Sequence, residues 1–300
     1  MLYHYTSIDS FVGMVESARK SNGNDHLVFW ASSIFAMNDP MEFKYGIDLI
    51  KKLVEKYEEE KQIANKYKLS TSFEDELAIN PNIGNEDYLL DRYFVNPPKT
   101  PFVISFSRND DDLAMWNLYG NKGKGLCLHF DEDISPFTEN DPIISQKLID
   151  VDYSGNIEKN ETLYSIFENE YKKSLDLLKQ ETSEPKLAVS RCLCLAKMYH
   201  FLCPFIKHHK YKNEKEVRIS GLPNSMKYIK YRTRNTNIIP YIELRIDKKH
   251  LKEITIGPCC DFESLKRGIN NLLYSIDINT DPLMKEDLPI THSNIPYRLL

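Results

Sequence analysis

Three hundred residues with 39 Lys and Arg against 44 Asp and Glu give a formal charge of −5, so no global basic field exists to hold a nucleic-acid backbone and only a local basic patch is left open. With 41% hydrophobic residues the chain can bury a substantial core and is not a disordered one. The opening Met-Leu-Tyr-His-Tyr-Thr-Ser lacks the basic start and apolar run of a signal peptide, and no segment reaches the roughly 18 apolar residues of a membrane span, so a cytoplasmic protein without a membrane partner is expected.

Leu2 to Thr6 reads as a short strand, and Ser7 caps a helix with Phe11, Met14, Val15 and Ala18 on its apolar face. His26 to Ser33 is a buried strand. Asn38-Asp39-Pro40 opens a helix from Glu42 to about Lys68, whose stripe of Ile47, Ile50, Leu53, Val54 and Tyr57 thins beyond Tyr57. Residues 70–100, with Pro81, Pro97 and Pro98, form a connection around a short helical piece, Tyr88 to Phe94. A strand from Pro101 to Ser107 follows, then a helix from Leu113 to Tyr119 capped within Asp110-Asp111-Asp112, a Gly- and Lys-rich loop, and a strand from Leu126 to Phe130.

A further strand falls at Leu148 to Tyr153, and two long helices at 161–181 and 185–206. The last third returns to strands, at Glu214 to Ser220, Tyr228 to Thr233, Ile239 to Ile246 and Lys252 to Ile256. A helix from Phe262 to Tyr274 and an irregular tail through Ser293 to Arg298 close the chain. Strands interrupted by helices without regular βαβ alternation predict one α+β domain over 1–300, a mixed or antiparallel sheet core with flanking helices and with 42–95 and 161–206 as helical insertions.

Chemistry concentrates at Tyr211 to Gly221. On a strand, Glu214, Glu216 and Arg218 share one face and Lys215, Val217 and Ile219 the other, which is either a salt-bridged sheet edge or part of a site. In the first strand Leu2, His4 and Thr6 share a face opposite Tyr3 and Tyr5, so His4 with Thr6 makes a polar pair suited to a hydroxyl-rich ligand. Asn38, Asp39 and Glu42 place polar groups at a helix start, where they act as caps or, with Lys44, echo a metal-dependent nuclease. Trp116 and Tyr119 lie on one helix face, as a core pair or as a wall for a flat ring. The six cysteines are free thiols rather than a disulfide framework, and with His200, His208 and His209 they lack the spacing of a zinc site.

Several stretches in order resemble a large bacterial family catalogued as domain of unknown function 2971. They are Tyr3-His4-Tyr5-Thr6, Asn38-Asp39-Pro40-x-Glu42, Ile104-Ser105-Phe106-Ser107 and Met115-Trp116-x-x-Tyr119-Gly120 with Gly125-Leu126-x-Leu128-x-Phe130. Phe205-x-Lys207, Tyr211-x-x-Glu214-x-Glu216-x-Arg218 and Ser293-x-Ile295-Pro296-Tyr297-Arg298 complete the set. More distantly, the chain is similar to ADP-ribosyltransferase-like folds, which carry a His on the first strand and a late Glu-x-Glu.

That likeness implies a split sheet and an NAD-consuming enzyme in a bacterial defence or toxin setting, with NAD as substrate, no metal, and a protein or nucleic acid as acceptor. Glu216, supported by Glu214, would be catalytic. His4, Tyr5 and Thr6 would meet a ribose, Ser107, Trp116 or Tyr119 the nicotinamide, and Lys207 or Arg218 the pyrophosphate, with Asn38 and Asp39 nearby. The alternatives are a ligand-sensing or protein-binding module without turnover, and a metal-dependent nuclease centred on Asp39 and Glu42.

Overall fold

A computed structural model describes residues 1–20, 25–39, 41–71, 100–136, 143–145, 148–234, 236–278 and 287–297. The expected helical piece Tyr88 to Phe94 and the prolines around it lie outside the described residues, as do Pro40 and Arg298. In chain order the elements are β1 (Leu2–Thr6), α1 (Ile8–Lys20), β2 (His26–Ser33), α2 (Glu42–Glu60), β3 (Phe102–Ser107), α3 (Leu113–Leu118), β4 (Leu126–Phe130), β5 (Ile143–Ser145) and β6 (Ile149–Asp150). Then follow α4 (Glu161–Gln180), α5 (Glu184–Leu202), β7 (Glu216–Pro223), β8 (Lys230–Arg234), β9 (Asn237–Asp247), β10 (Leu251–Ile256), α6 (Phe262–Tyr274) and β11 (Ile290–His292). The fold is α+β, and its sheet is mixed but largely antiparallel, with only β10 and β11 running parallel among the described strands.

β3 is the strand on which the sheet turns. Along one edge it pairs with β7 over its whole length, from Phe102↔Gly221 to Ser107↔Glu216. The other edge is divided, since β2 takes its start at Val103 and Phe102 and β1 takes its end at Ser107. Beyond those pairs the two neighbours lead into separate arms, β1-β4-β10-β11 and β2-β9-β8. The sheet therefore splits at β3.

One face of the sheet, with Phe29, Phe106, Leu128, Val217 and Ile219, packs on Phe11 and Met14 of α1 and on Ile269 and Leu273 of α6. The opposite face carries Val103 and Ile149 under a helical layer of α2, α4 and α5. The α2 stripe is the expected one and is buried, but the helix stops at Glu60, where charge replaces it, and only a short 3-10 turn, Asn65–Tyr67, follows. Likewise α5 ends at Leu202, because Pro204 cannot continue it, and the expected strand at Leu148 to Tyr153 is reduced to two residues. α2 crosses the turn after α5 closely: a Cβ on Gly46 would stand 3.0 Å from Cys203 Sγ.

The loop after α3 approaches the sheet without room for side chains. A Cβ on Gly125 would sit 2.2 Å from the Thr6 carbonyl oxygen, an atom of fixed backbone. Gly125→Ala is expected to lower stability by about 1–3 kcal/mol or more, the usual cost of overpacking. Gly268→Ala, in α6 with nothing within 4 Å of its Cβ, is expected to raise it by about 1 kcal/mol through helix propensity. Urea unfolding of the two variants checks both signs.

Candidate functional site

Glu216 and Arg218 point from β7 toward the helical layer, opposite Ser107 and Ser105 of β3. Glu214 is not on the strand. It ends a 3-10 segment, His209–Glu214, and Lys215 adopts a left-handed conformation, φ 43° and ψ 51°, that breaks the alternation. The break corrects the expectation of one regular strand face. It folds Glu214 back beside Glu216, so that one ammonium reaches both.

That ammonium is Lys207, delivered by the chain leaving α5. Its Nζ donates to Glu214 Oε2 at 2.6 Å and to Glu216 Oε1 at 2.8 Å, and stands 3.7 Å from Glu42 Oε2. Arg218 donates through Nε to Glu216, through NH1 to Glu42 and, at 2.8 Å, to the carbonyl of Pro204. Three carboxyl groups and two cations thus share one buried cluster in which Lys207 and Arg218 are 0% exposed, Glu42 1%, Glu216 3% and Glu214 6%.

Counting charges decides the protonation. Three carboxylates against two cations leave one negative charge in excess, and burial penalises it. The excess falls on Glu214, whose pKa is pushed up to about 7 by burial and by its hydrogen bond and repulsion with Glu216. Glu216 is buried more deeply, which opposes ionisation, yet Arg218 and Lys207 outweigh burial and hold its carboxyl below the usual range. Burial works against the Lys207 ammonium as well, and the surrounding glutamates keep it charged. The pair therefore binds one proton below about pH 7, carried on Glu214, and releases it as pH rises through that value.

Glu214 is the member nearest solvent. Tyr119 donates to its Oε1 at 2.9 Å, and exposed Asn38 donates to the Tyr119 hydroxyl at 2.8 Å. Burial and the two glutamates push the Tyr119 phenol well above its ordinary range, so it remains a donor. Tyr211 lies under Lys207, Nζ to ring centre 4.7 Å, and the half-buried Tyr153 hydroxyl accepts the Glu216 backbone N–H at 2.9 Å. Ser105 Oγ is 3.4 Å from Glu216 Oε2. Tyr153, Tyr211 and Ser105 were not singled out in the sequence. Two of them sat inside motifs, Tyr-x-x-Glu and Ile-Ser-Phe-Ser, but Tyr153 carried no signal.

Other expected residues go elsewhere. Tyr3↔Ser107 pairing turns His4 to the face opposite Glu216, where its ring packs on Phe29 and Phe106 and its Nδ1 meets the Ser105 carbonyl at 2.9 Å in the split. Burial drops its pKa to about 4, leaving a neutral imidazole. Thr6 shares the His4 face and is buried, while the Tyr5 hydroxyl bridges the Asn109 carbonyl and the Asp112 N–H. Trp116 is fully buried with Nε1 donating to Asp111, so it is a core residue and not a stacking wall. Ser107 donates to the Glu214 carbonyl at 2.7 Å and so fixes the turn.

Asn38, Asp39 and Glu42 separate. Asn38 goes to Tyr119, Asp39 accepts the Met41 N–H, and Glu42 goes to Arg218. Asp39 and Glu42 thus serve different partners, and among the described residues no group of three His, Cys, Asp or Glu is arranged to hold a metal ion. Where three carboxylates converge, the Lys207 ammonium already takes the place of a cation.

Removing that ammonium leaves Glu214 without its cation and Glu216 and Glu42 with Arg218 alone, and Lys207→Met is expected to cost about 3–5 kcal/mol in urea unfolding. Glu214→Gln should recover part of this in the double variant, giving a favourable coupling in the mutant cycle. The raised pKa of Glu214 stabilises the fold below its ordinary value of 4.5, and that contribution is lost as pH rises through about 7. Wild type should therefore lose stability relative to Glu214→Gln over that interval, as read from melting temperatures at matched pH.

Among the described residues no helix is long and apolar enough to cross a membrane. No curated protein and no solved structure matches the chain. A family model does match residues 115–219, roughly a third of the chain, from α3, which Tyr119 directly follows, to the strand bearing Glu216 and Arg218. That segment is similar to the family described as "Protein of unknown function (DUF2971)".

Proposed function

We propose that the chain is an acid–base enzyme of the ADP-ribosyltransferase-like class, cleaving the glycosidic bond of an NAD-like nucleotide, with Glu214 as the group that moves the proton. The observation that carries this reading is the geometry of the glutamate pair: Glu214 at the accessible end, reached by Tyr119 and with its pKa pushed up to about 7, and Glu216 beneath it, held by Lys207 and Arg218 below the usual range. Glu216, the residue favoured by its place in Glu-x-Glu, becomes the fixed negative charge and Glu214 the working carboxyl.

In such a reaction the C1′–N bond breaks, its electron pair goes to the departing nicotinamide, and the ribose carbon becomes oxocarbenium-like. A carboxylate held rigid by Arg218 and Lys207 stabilises that charge more in the transition state than in the ground state. The ionised fraction of Glu214 then takes the proton of the water or acceptor hydroxyl as the new bond forms. Tyr119 and Asn38 are the groups placed to meet the substrate, and His4 is left as a packing residue of the split. The split at β3 and the late Glu-x-Glu support the likeness to this class.

A second reading, a ligand-sensing module without turnover, is favoured by one observation: Glu216 and Arg218 are buried and fully engaged with each other, Lys207 and Glu42. Incubation with NAD separates the two. The enzyme reading predicts nicotinamide release that rises with pH through about 7 and falls about 10²–10⁴-fold in Glu214→Gln. NAD binding by calorimetry, weakened in Tyr119→Phe and without any release across that pH range, supports the module instead.

A further inference from the structure

A second, separate feature lies at the end of the sheet. Between Glu216 and Glu243 the sequence contains no Asp or Glu, yet it holds Lys227, Lys230, Arg232 and Arg234. In a chain of net charge −5 this is the local basic patch that composition left open. β8 is the terminal strand of its arm, paired only with β9 among the described strands, so its outer edge is presented to solvent. The register Lys230↔Tyr241, Arg232↔Ile239 and Arg234↔Asn237 lines three cations along one face, and Tyr231, Thr233, Ile238 and Pro240 share the other.

Little on the protein neutralises this row. Lys230 meets Glu243 at 2.7 Å, while Arg232 and Arg234 have no carboxylate partner among the described residues. Arg232 is held in place by uncharged groups. Its guanidinium stacks 5.5 Å from the Trp30 ring and 6.0 Å from the Tyr241 ring, and NH2 donates to Ser32 Oγ at 2.8 Å. Its Nε and the neighbouring Trp30 Nε1 find no acceptor among the described residues, so the corner is uncompensated from beneath as well. Burial first, and then the nearby Arg234, work against the Arg232 charge.

We propose that the β8 edge binds single-stranded nucleic acid, with successive phosphates along Lys230, Arg232 and Arg234 and with bases stacking on Tyr231. Alternate residues of an antiparallel strand stand about 6.8 Å apart, of the same order as successive phosphates on an extended single strand. Tyr231 and Ile238, 55% and 72% exposed, offer the apolar contact that sequence-tolerant base stacking uses. A membrane surface would need cations and apolar groups directed to one plane, whereas here they lie on opposite faces of the hairpin, and a nucleotide can straddle the outer edge of β8 with its phosphate on the cation face and its base on the Tyr231 face. The proposal does not depend on the acid–base reading of Glu214.

Fluorescence anisotropy with labelled oligothymidylate and oligouridylate of about 20 nucleotides tests it, with salt varied between about 50 and 200 mM. Contact with three phosphates predicts a slope of log K against log salt of about −2, reduced by about 0.7 in Arg234→Gln. Tyr231→Ala should weaken binding about 5-fold or more, from the loss of one stacked base. Both positions are exposed, and unchanged melting temperatures in the two variants confirm the fold. Absence of salt-dependent binding, equal affinity in both variants, or equal capture by a duplex, by polyglutamate or by phosphatidylserine vesicles overturns the proposal.

Discussion

The contact on which the buried centre depends is the Lys207 ammonium between the carboxyl groups of Glu214, Glu216 and Glu42. Each of these charges alone would be costly in the interior, and each is retained because the others are present. The geometry of four separate segments follows from it. The Cys203-Pro204-Phe205 turn after α5 sets Lys207, the first turn of α2 presents Glu42, β7 presents Glu216 and Arg218, and the left-handed Lys215 returns Glu214. Because three acids face two bases, the centre cannot be neutral with every carboxyl ionised. A proton on Glu214 resolves the imbalance at the one carboxyl nearest solvent, where Tyr119 and Asn38 also converge.

Much of the architecture was legible because it is local. Alternation marked most of the longer strands, and the apolar stripe located α2 along with its weakening beyond Tyr57. What depended on distant partners was not. β11 is three residues long and lies parallel to β10, and no strand was expected at Ile290–His292, just before the tail. Helix ends were overrun at Glu60 and Leu202, where charge and proline, not loss of propensity alone, terminate the elements.

The site was half legible for the same reason. Glu214, Glu216, Arg218, Lys207, Tyr119 and Asn38 were all named from the sequence and do meet. His4 was assigned correctly to a face with Leu2 and Thr6, but which side of the sheet that face addresses is fixed by one residue pair, Tyr3↔Ser107, between strands about a hundred residues apart. Glu42 read as a helix-start carboxylate with no way to foresee Arg218, which lies 176 residues on. The positive φ of Lys215 has no residue-type signal either, since glycine rather than lysine is the usual occupant of that conformation.

The claim that Glu214 holds the proton of this cluster can be read directly by carbon-13 NMR titration of the glutamate side-chain carboxyls, with Glu214→Gln used to assign its resonance. A Glu214 carboxyl that titrates near 7 while Glu216 stays ionised well below the ordinary glutamate range is the predicted result. A Glu214 carboxyl that titrates at its ordinary 4.5, or a proton that resides on Glu216 instead, would contradict it.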